Sequence, residues 1–216
     1  MISTSDAAQR KIIRGGYIWN SASGMINAVQ SLIILIFITK FVGIEEAGIF
    51  SIAYAVGGLL QMFATYGVGN FQITDVKEKY SFSDYFWNRS ITVLVSLALL
   101  AGYCALKSAF GGYSAEKTLI VLLIGAWKLI DSMENVFYAM FQQKGRLDIG
   151  AKCYTIRMTA SMVLYCALLA AGLSFATSTV TTVAFSVVLA FILVKKTSFI
   201  RRKNSEALQG NSPEPL

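Results

Sequence analysis

The sequence predicts an all-α, polytopic membrane protein with six transmembrane helices. Three observations carry that prediction. Of 216 residues, 55% are hydrophobic and only 14% charged, and mean hydropathy is +0.58; a soluble domain of this length has no core large enough to hide so much apolar surface. The apolar residues fall into six runs near the ~20 residues that a helix needs to cross a bilayer. Basic residues gather in every second connection, as expected when those connections stay on one side of the membrane.

The runs cover about 17–40, 47–70, 88–107, 118–142, 150–171 and 176–195. The first is too long for a signal peptide, and no small-residue cleavage site follows it. Arg10, Lys11 and Arg14 precede it. Lys77, Lys79 and Arg89 flank the second connection, and Lys144, Arg146 and Lys152 the fourth. Lys195, Lys196, Arg201, Arg202 and Lys203 close the series, while the odd connections hold only Lys40, Lys107 and Lys117. An even number of spans with both termini cytoplasmic follows. The net charge of +7 therefore reflects topology and anionic lipid head groups rather than nucleic acid.

The connections are short. In DVKEKYSFSDYFW, residues 75–87, the aromatics Tyr80, Phe82, Tyr85, Phe86 and Trp87 suit an interfacial belt, and Ser83 or Asp84 is the expected cap of the third span. Asp75 and Glu78 read as solvated. Residues 1–195 make one six-helix domain, and the polar stretch 196–216, with Pro213 and Pro215 near its end, reads as a disordered cytoplasmic tail.

Several function classes are excluded. The chain has no histidine, hence neither the usual general base nor the commonest metal ligand. Cys104, Cys153 and Cys166 lie far apart in apolar surroundings, without metal or redox spacing. There is no Gly-rich phosphate loop. An enzyme is not expected, nor a cofactor.

One span departs from the apolar pattern. GAWKLIDSMENVFYAMFQQKGRLD, residues 125–148, puts Lys128, Asp131 and Glu134 where hydrocarbon is expected. At about 100° per residue, Lys128, Asp131, Glu134, Asn135, Tyr138 and Gln142 share one arc of roughly 120°. Leu119, Leu122, Leu129, Val136 and Phe137 mostly form the other side. The eleven Leu, Ile, Val and Phe residues of 118–142 favour insertion by ~3 to 7 kcal/mol, whereas three charges near mid-membrane oppose it by ~7 to 10 kcal/mol. Water, neighbouring helices or opposite charges must compensate.

The next span supplies an opposite charge. Arg157 lies about two turns into it, on a stripe with Gly150, Tyr154, Ser161 and Tyr165. An antiparallel hairpin centred on residues 145–146 sets Glu134 and Arg157 at equal depth, so these two are expected to meet within the membrane. Lys128 is placed to pair with Asp131 at i,i+3. Two readings compete: paired charges that only fix helix packing, or a hydrated cavity that handles polar cargo. Polar stripes elsewhere agree with a cavity. Asn20, Ser23, Asn27 and Ser31 share one face of the first span, with Gln30 near it, and Gln61 and Thr65 lie in the second. Small residues are common at close helix packing, but Asn27 and Gln61 carry amides that need partners in lipid.

FVGIEEAGIFSIAYAVGGLLQMFATYGVGNFQITDVKEKYSFSDY and KLIDSMENVFYAMFQQKGRLDIGAKCYTIR together resemble bacterial polysaccharide-biosynthesis membrane proteins, the Wzx-type oligosaccharide flippases of the MATE-like MOP superfamily. The resemblance spans about residues 10–195. It implies one half, a six-helix bundle, of a MATE-like MOP fold. It implies translocation of a glycan linked to undecaprenyl diphosphate, across the bacterial cytoplasmic (inner) membrane. Lys128, Asp131, Glu134, Arg157, Asn27 and Gln61 are then the cavity or substrate-binding residues, with Arg14 and Arg89 touching the diphosphate at the cytoplasmic face, although topology alone also explains these two.

Family members usually have twelve or more spans. The resemblance therefore implies, besides glycan substrate and membrane lipids, a second six-helix half or a second copy as partner, or else a truncated product. A MATE-like small-molecule exporter and a non-transporting membrane subunit or inactive fragment are the competing functions.

Overall fold

The computed structural model describes the backbone of residues 4–209 and the side chains of Arg10 and of residues 12–196. It is all helix: α1 Thr4–Phe41, α2 Ile44–Thr65, α3 Val68–Thr74, α4 Phe82–Ala109, α5 Ala115–Gln143, α6 Leu147–Ala170 and α7 Phe175–Gln209. Helices α2 and α3 together make the second expected span, so six helical rods run up and down. Part of the stretch expected to be a disordered tail continues α7 as helix to Gln209; residues 210–216 lie outside the described residues. Five of the rods are long and apolar enough to cross a membrane. The sixth, α5, has 29 residues but carries the three charges noted above. The chain is a multi-pass membrane protein.

The second rod breaks at Tyr66 and Gly67, whose φ values are 21° and 80°. Glycine at 67 takes the left-handed conformation without a Cβ clash. A break frees carbonyls that lipid cannot satisfy, and α4 supplies the donors. Arg89 Nη1 donates to the Ala64 carbonyl at 2.5 Å and Thr92 Oγ1 to the same oxygen at 2.9 Å. Below the break, Gln72 Nε2 donates to the Val136 carbonyl of α5 at 3.2 Å.

Helix α4 starts at Phe82 with Ser81 as its cap, two to three residues ahead of the expected cap, Ser83 or Asp84. Asp84 does contribute, from the third helical position. Ser81 Oγ accepts the Asp84 N–H, and the Asp84 carboxylate accepts the Ser81 N–H at 2.8 Å, a reciprocal capping box. Asp75 is not simply solvated. Its carboxylate accepts the N–H groups of Lys79 and Tyr80 at 3.0 and 3.1 Å and the Tyr85 hydroxyl at 2.8 Å. Its carbonyl accepts Gln143 Nε2 at 2.7 Å. The Lys79 N–H, foremost, holds the Asp75 carboxyl below its usual range. Of the expected belt, Trp87 faces outward and Tyr85 is buried, drawn inward by that carboxylate.

The turn between α5 and α6 falls at Lys144, Gly145 and Arg146, as the hairpin reading required. Gly145 has φ 70°, and the Arg146 N–H reaches back to the Phe141 carbonyl at 2.8 Å, closing the helix end. Helix α5 is the hub. It packs chiefly on α2 and α4, and also on α3, α6 and α7, while α1 packs chiefly on α6. Both sides of α5 are therefore covered. Leu129 and Val136, expected opposite the polar stripe, are buried; Leu129 packs near Ala64 and Val93. The charged arc was expected to need water, neighbouring helices or opposite charges, and the helix has protein partners on both sides.

The bundle is asymmetric along its axis. At the end holding the α5 N-terminus, Ile34, Phe50, Leu100, Ile124, Tyr165 and Leu169 form a buried apolar core. Polar groups dominate toward the opposite end, which carries the 75–81 loop and the 144–146 turn. The outside is apolar, with Leu32, Leu59, Met62, Leu94, Val163 and Phe191 exposed, as lipid contact requires.

Candidate functional site

The four charges within the spans converge on one point. Arg157 is 0% exposed and sits between two carboxylates. Its Nε donates to Glu134 Oε2 at 2.6 Å, and its Nη2 donates to Asp131 Oδ1. Its remaining Nη1 donates to Ser186 Oγ of α7 at 2.8 Å. The planar fork thus ties α5, α6 and α7 together, a geometry that an ammonium cannot reproduce. The meeting of Glu134 with Arg157 agrees with the depth argument from the hairpin.

Lys128 closes the network from the other side. Its ammonium lies 3.4 Å from Asp131 Oδ2 and donates to the Tyr54 hydroxyl at 3.3 Å. It also lies 4.6 Å from the Tyr54 ring centroid, so the ring face replaces part of its hydration. Gln61 Nε2 donates to Asp131 Oδ2 at 3.4 Å. Two cations and two carboxylates make the cluster neutral, and each is at most 6% exposed. Burying unpaired ions is costly, and this mutual pairing offsets part of that cost. One atom is left over: Glu134 Oε1 is buried with no hydrogen-bond partner among the described residues.

Next to the cluster is a polar cleft of about 240 Å³ between α1, α2, α5 and α6. Asn20, Gln61, Asp131, Asn135, Tyr138 and Tyr154 are among its walls. A second cavity of about 260 Å³ shares Thr65, Asn135, Tyr138 and Gln142 with the first and runs to the break at Gly67. Of the α5 stripe predicted from helical spacing, Asn135, Tyr138 and Gln142 line both and Asp131 lines the first. Of the charged network, Asp131 alone reaches the cleft wall. The cleft lies in the half of the bundle that carries the 144–146 turn, with the apolar core closing the other half.

The remaining expected residues are placed as follows. Asn27 is exposed on α1, and its amide oxygen accepts the Tyr154 hydroxyl at 3.4 Å. Arg14 is exposed near the start of α1. Arg89 is not at the surface: it is 1% exposed and spends its guanidinium on Ala64 and, at 3.1 Å, on Asn135 Oδ1. Lys144 pairs with Glu78 at 3.7 Å, and Arg146 pairs with Asp148 at 2.9 Å, which raises the Arg146 pKa above its ordinary value.

Sequence reasoning missed Tyr54 and Ser186. Ser186 accepts Arg157 and also Trp127 Nε1, the latter at 3.2 Å. A signal existed: Ser178, Thr182 and Ser186 recur every fourth residue of α7, the spacing of one helix face, and all three are buried. Tyr54 had none, since a tyrosine in a span is ordinary.

The model of the family described as polysaccharide biosynthesis protein matches residues 13–208. No curated protein matches, and no solved structure does.

Proposed function

Because this chain belongs to the polysaccharide biosynthesis protein family, we propose that it moves a lipid-linked oligosaccharide across the bacterial cytoplasmic membrane. The carrier lipid is undecaprenyl diphosphate, and both termini face the cytoplasm. The observation that carries this reading is the polar cleft at the expected cytoplasmic end, above a closed apolar half, inside a bundle with an apolar exterior. That is the shape of a site open to one side of the membrane. The glycan enters the cleft while its lipid stays in the bilayer.

The neutral network at the floor of the cleft is suited to a site that changes shape. Arg157, Asp131, Glu134 and Lys128 join four helices through α2, α5, α6 and α7, so exchange of their partners would repack all of them together. A second six-helix bundle, or a second copy of this chain, faces the cleft and completes its wall. No bond-making step is assigned to the chain.

A second reading has one observation in its favour. Asp131, the one charge of the network at the cleft wall, would receive a small organic cation, as in a MATE-like exporter, on releasing Lys128, which it holds at 3.4 Å. One experiment separates the two. Cells lacking the gene should accumulate lipid-linked glycan on the inner leaflet and lose the surface polysaccharide, with both restored by the intact gene. Normal surface glycan with no inner-leaflet accumulation overturns the flippase reading, and raised sensitivity to organic cations in the same cells favours the exporter.

A further inference from the structure

The interface between α6 and α7 holds polar groups that the ion network does not use. These helices run antiparallel, and two side-chain links set their register. Arg157 Nη1 donates to Ser186 Oγ at 2.8 Å, and the hydroxyls of Tyr165 and Thr179 lie 2.8 Å apart. Between these links each helix presents one more residue of the same face, Ser161 on α6 and Thr182 on α7, at equal depth. They are 0% and 1% exposed. Yet Ser161 Oγ and Thr182 Oγ1 have no hydrogen-bond partner among the described residues, neither each other nor a carbonyl. Ser178 Oγ, one turn beyond Thr182 on the same face, is buried and unpartnered as well. Bare hydroxyls in a membrane interior are costly, and three along one seam call for a common explanation.

We propose that α6 and α7 enclose a small internal water site held by Ser161, Thr182 and Ser178. Three hydroxyls supply the roughly two to four polar partners that a buried water takes, and each both donates and accepts. Serine and threonine stand here between links made by Arg157 and Tyr165, so this is where the interface has least side chain to fill it. The ligand is neutral. Neither 157–165 nor 178–186 carries a carboxylate, Arg157 is already matched by Asp131 and Glu134, and hydroxyls alone do not repay the dehydration of an ion. Water at this place continues the hydrogen-bonded path of Arg157 and Ser186 one helical turn further, into the half otherwise filled by the apolar core. Because it donates and accepts, it takes up a partner that Arg157 or Ser186 releases when the helices repack. The site depends on neither cargo nor carrier lipid.

Two measurements on the full chain in nanodiscs test the site. Thr182→Val keeps the shape of the side chain and removes its hydroxyl, and Ser161→Ala does the same at the facing position. A bare buried hydroxyl is a burden, so removing it would raise Tm. A water-bonded one is an asset, so each variant should instead lower Tm, by roughly 2 to 5 °C. The double variant should lose clearly less than the sum of the two, because both hydroxyls hold the same water. The second measurement leaves the chain unaltered. With threonine methyls labelled for NMR, magnetisation should pass from water to the Thr182 methyl, whose signal is identified by its loss in Thr182→Val. With isoleucine methyls labelled, none should pass to Ile124 in the apolar core.

A Thr182→Val chain that melts with or above the native one overturns the site, as does a Thr182 methyl with no more water contact than Ile124. Fully additive losses in the double variant would mean separate partners and overturn the shared water. Should Thr182→Val fail to fold, the methyl measurement on the native chain decides alone.

Discussion

Replacing Arg157 by leucine should destabilise the bundle strongly, and a second change should undo much of the damage. In the native chain Arg157 bonds Glu134, Asp131 and Ser186. Without it, Asp131 keeps Lys128 and Gln61, each at 3.4 Å, but Glu134 loses its only ion-pair partner among the described residues. Leaving a buried charge unpaired costs about 3 to 5 kcal/mol. In a chain of this size that lowers Tm by roughly 6 to 20 °C. Membrane insertion pulls the other way, since removing a central arginine favours insertion of α6 by ~2.5 to 3.5 kcal/mol. The variant should therefore insert at least as well as the native chain, yet melt earlier. Adding Glu134→Gln leaves Lys128 and Asp131 as a balanced pair, so the double variant should recover about half of the loss or more. Thermal unfolding of the purified variants in detergent or nanodiscs reads this. A single variant that melts with the native chain, or a double variant that melts lower than the single, refutes the buried network.

Three further outcomes follow from other parts of the fold. Arg89→Ala removes the donor to Ala64 and Asn135, worth about 1.5 to 3 kcal/mol for bonds to a charged group; hydrogen exchange should rise around Tyr66 and Gly67 and little elsewhere. At Gly57 an added Cβ would lie 3.0 Å from Gly125 Cα and 3.0 Å from Lys128 Cγ, so Gly57→Ala should separate α2 from α5 and cost ~1 to 3 kcal/mol, read as a lower melting temperature. The Asp75 carboxyl is held below its ordinary value of 3.8 by backbone N–H donors. A carboxylate lowered in this way stabilises the 75–81 loop above pH 3.8 and loses that effect as pH falls through its folded pKa. Loop order, followed by hydrogen exchange, should persist through pH 5 and fail only in stronger acid, whereas Asp75→Asn should expose Lys77 and Lys79 to trypsin at neutral pH.

The sequence made the fold class legible because bilayer length and helical period are both simple physical constraints. Six apolar runs map onto six rods, and the charged span maps onto the hub of the bundle. The Glu134–Arg157 contact was legible because an antiparallel hairpin has only one register once its turn is known. The break at Tyr66–Gly67 was not, since the apolar pattern continues through it, and its stabilisation comes from α4, distant in sequence. The expected role of Arg89 at the surface differed for that same reason: a basic residue at a span edge looks the same whether it meets water or a freed carbonyl. The cap of α4 was misplaced because interfacial aromatics extend the helix beyond the apolar run. Tyr54 and Ser186 became visible only once three helices were packed around Arg157.

The most direct test of the account is the water accessibility of the cleft. Cysteines placed singly at Asn135 and at Ile124, in a chain whose native Cys104, Cys153 and Cys166 are replaced, separate the polar half from the apolar core. A membrane-impermeant thiol reagent should label the Asn135 position rapidly in inverted membrane vesicles and leave the Ile124 position unmodified. Equal protection of both positions would contradict an aqueous cleft over the ion-pair network.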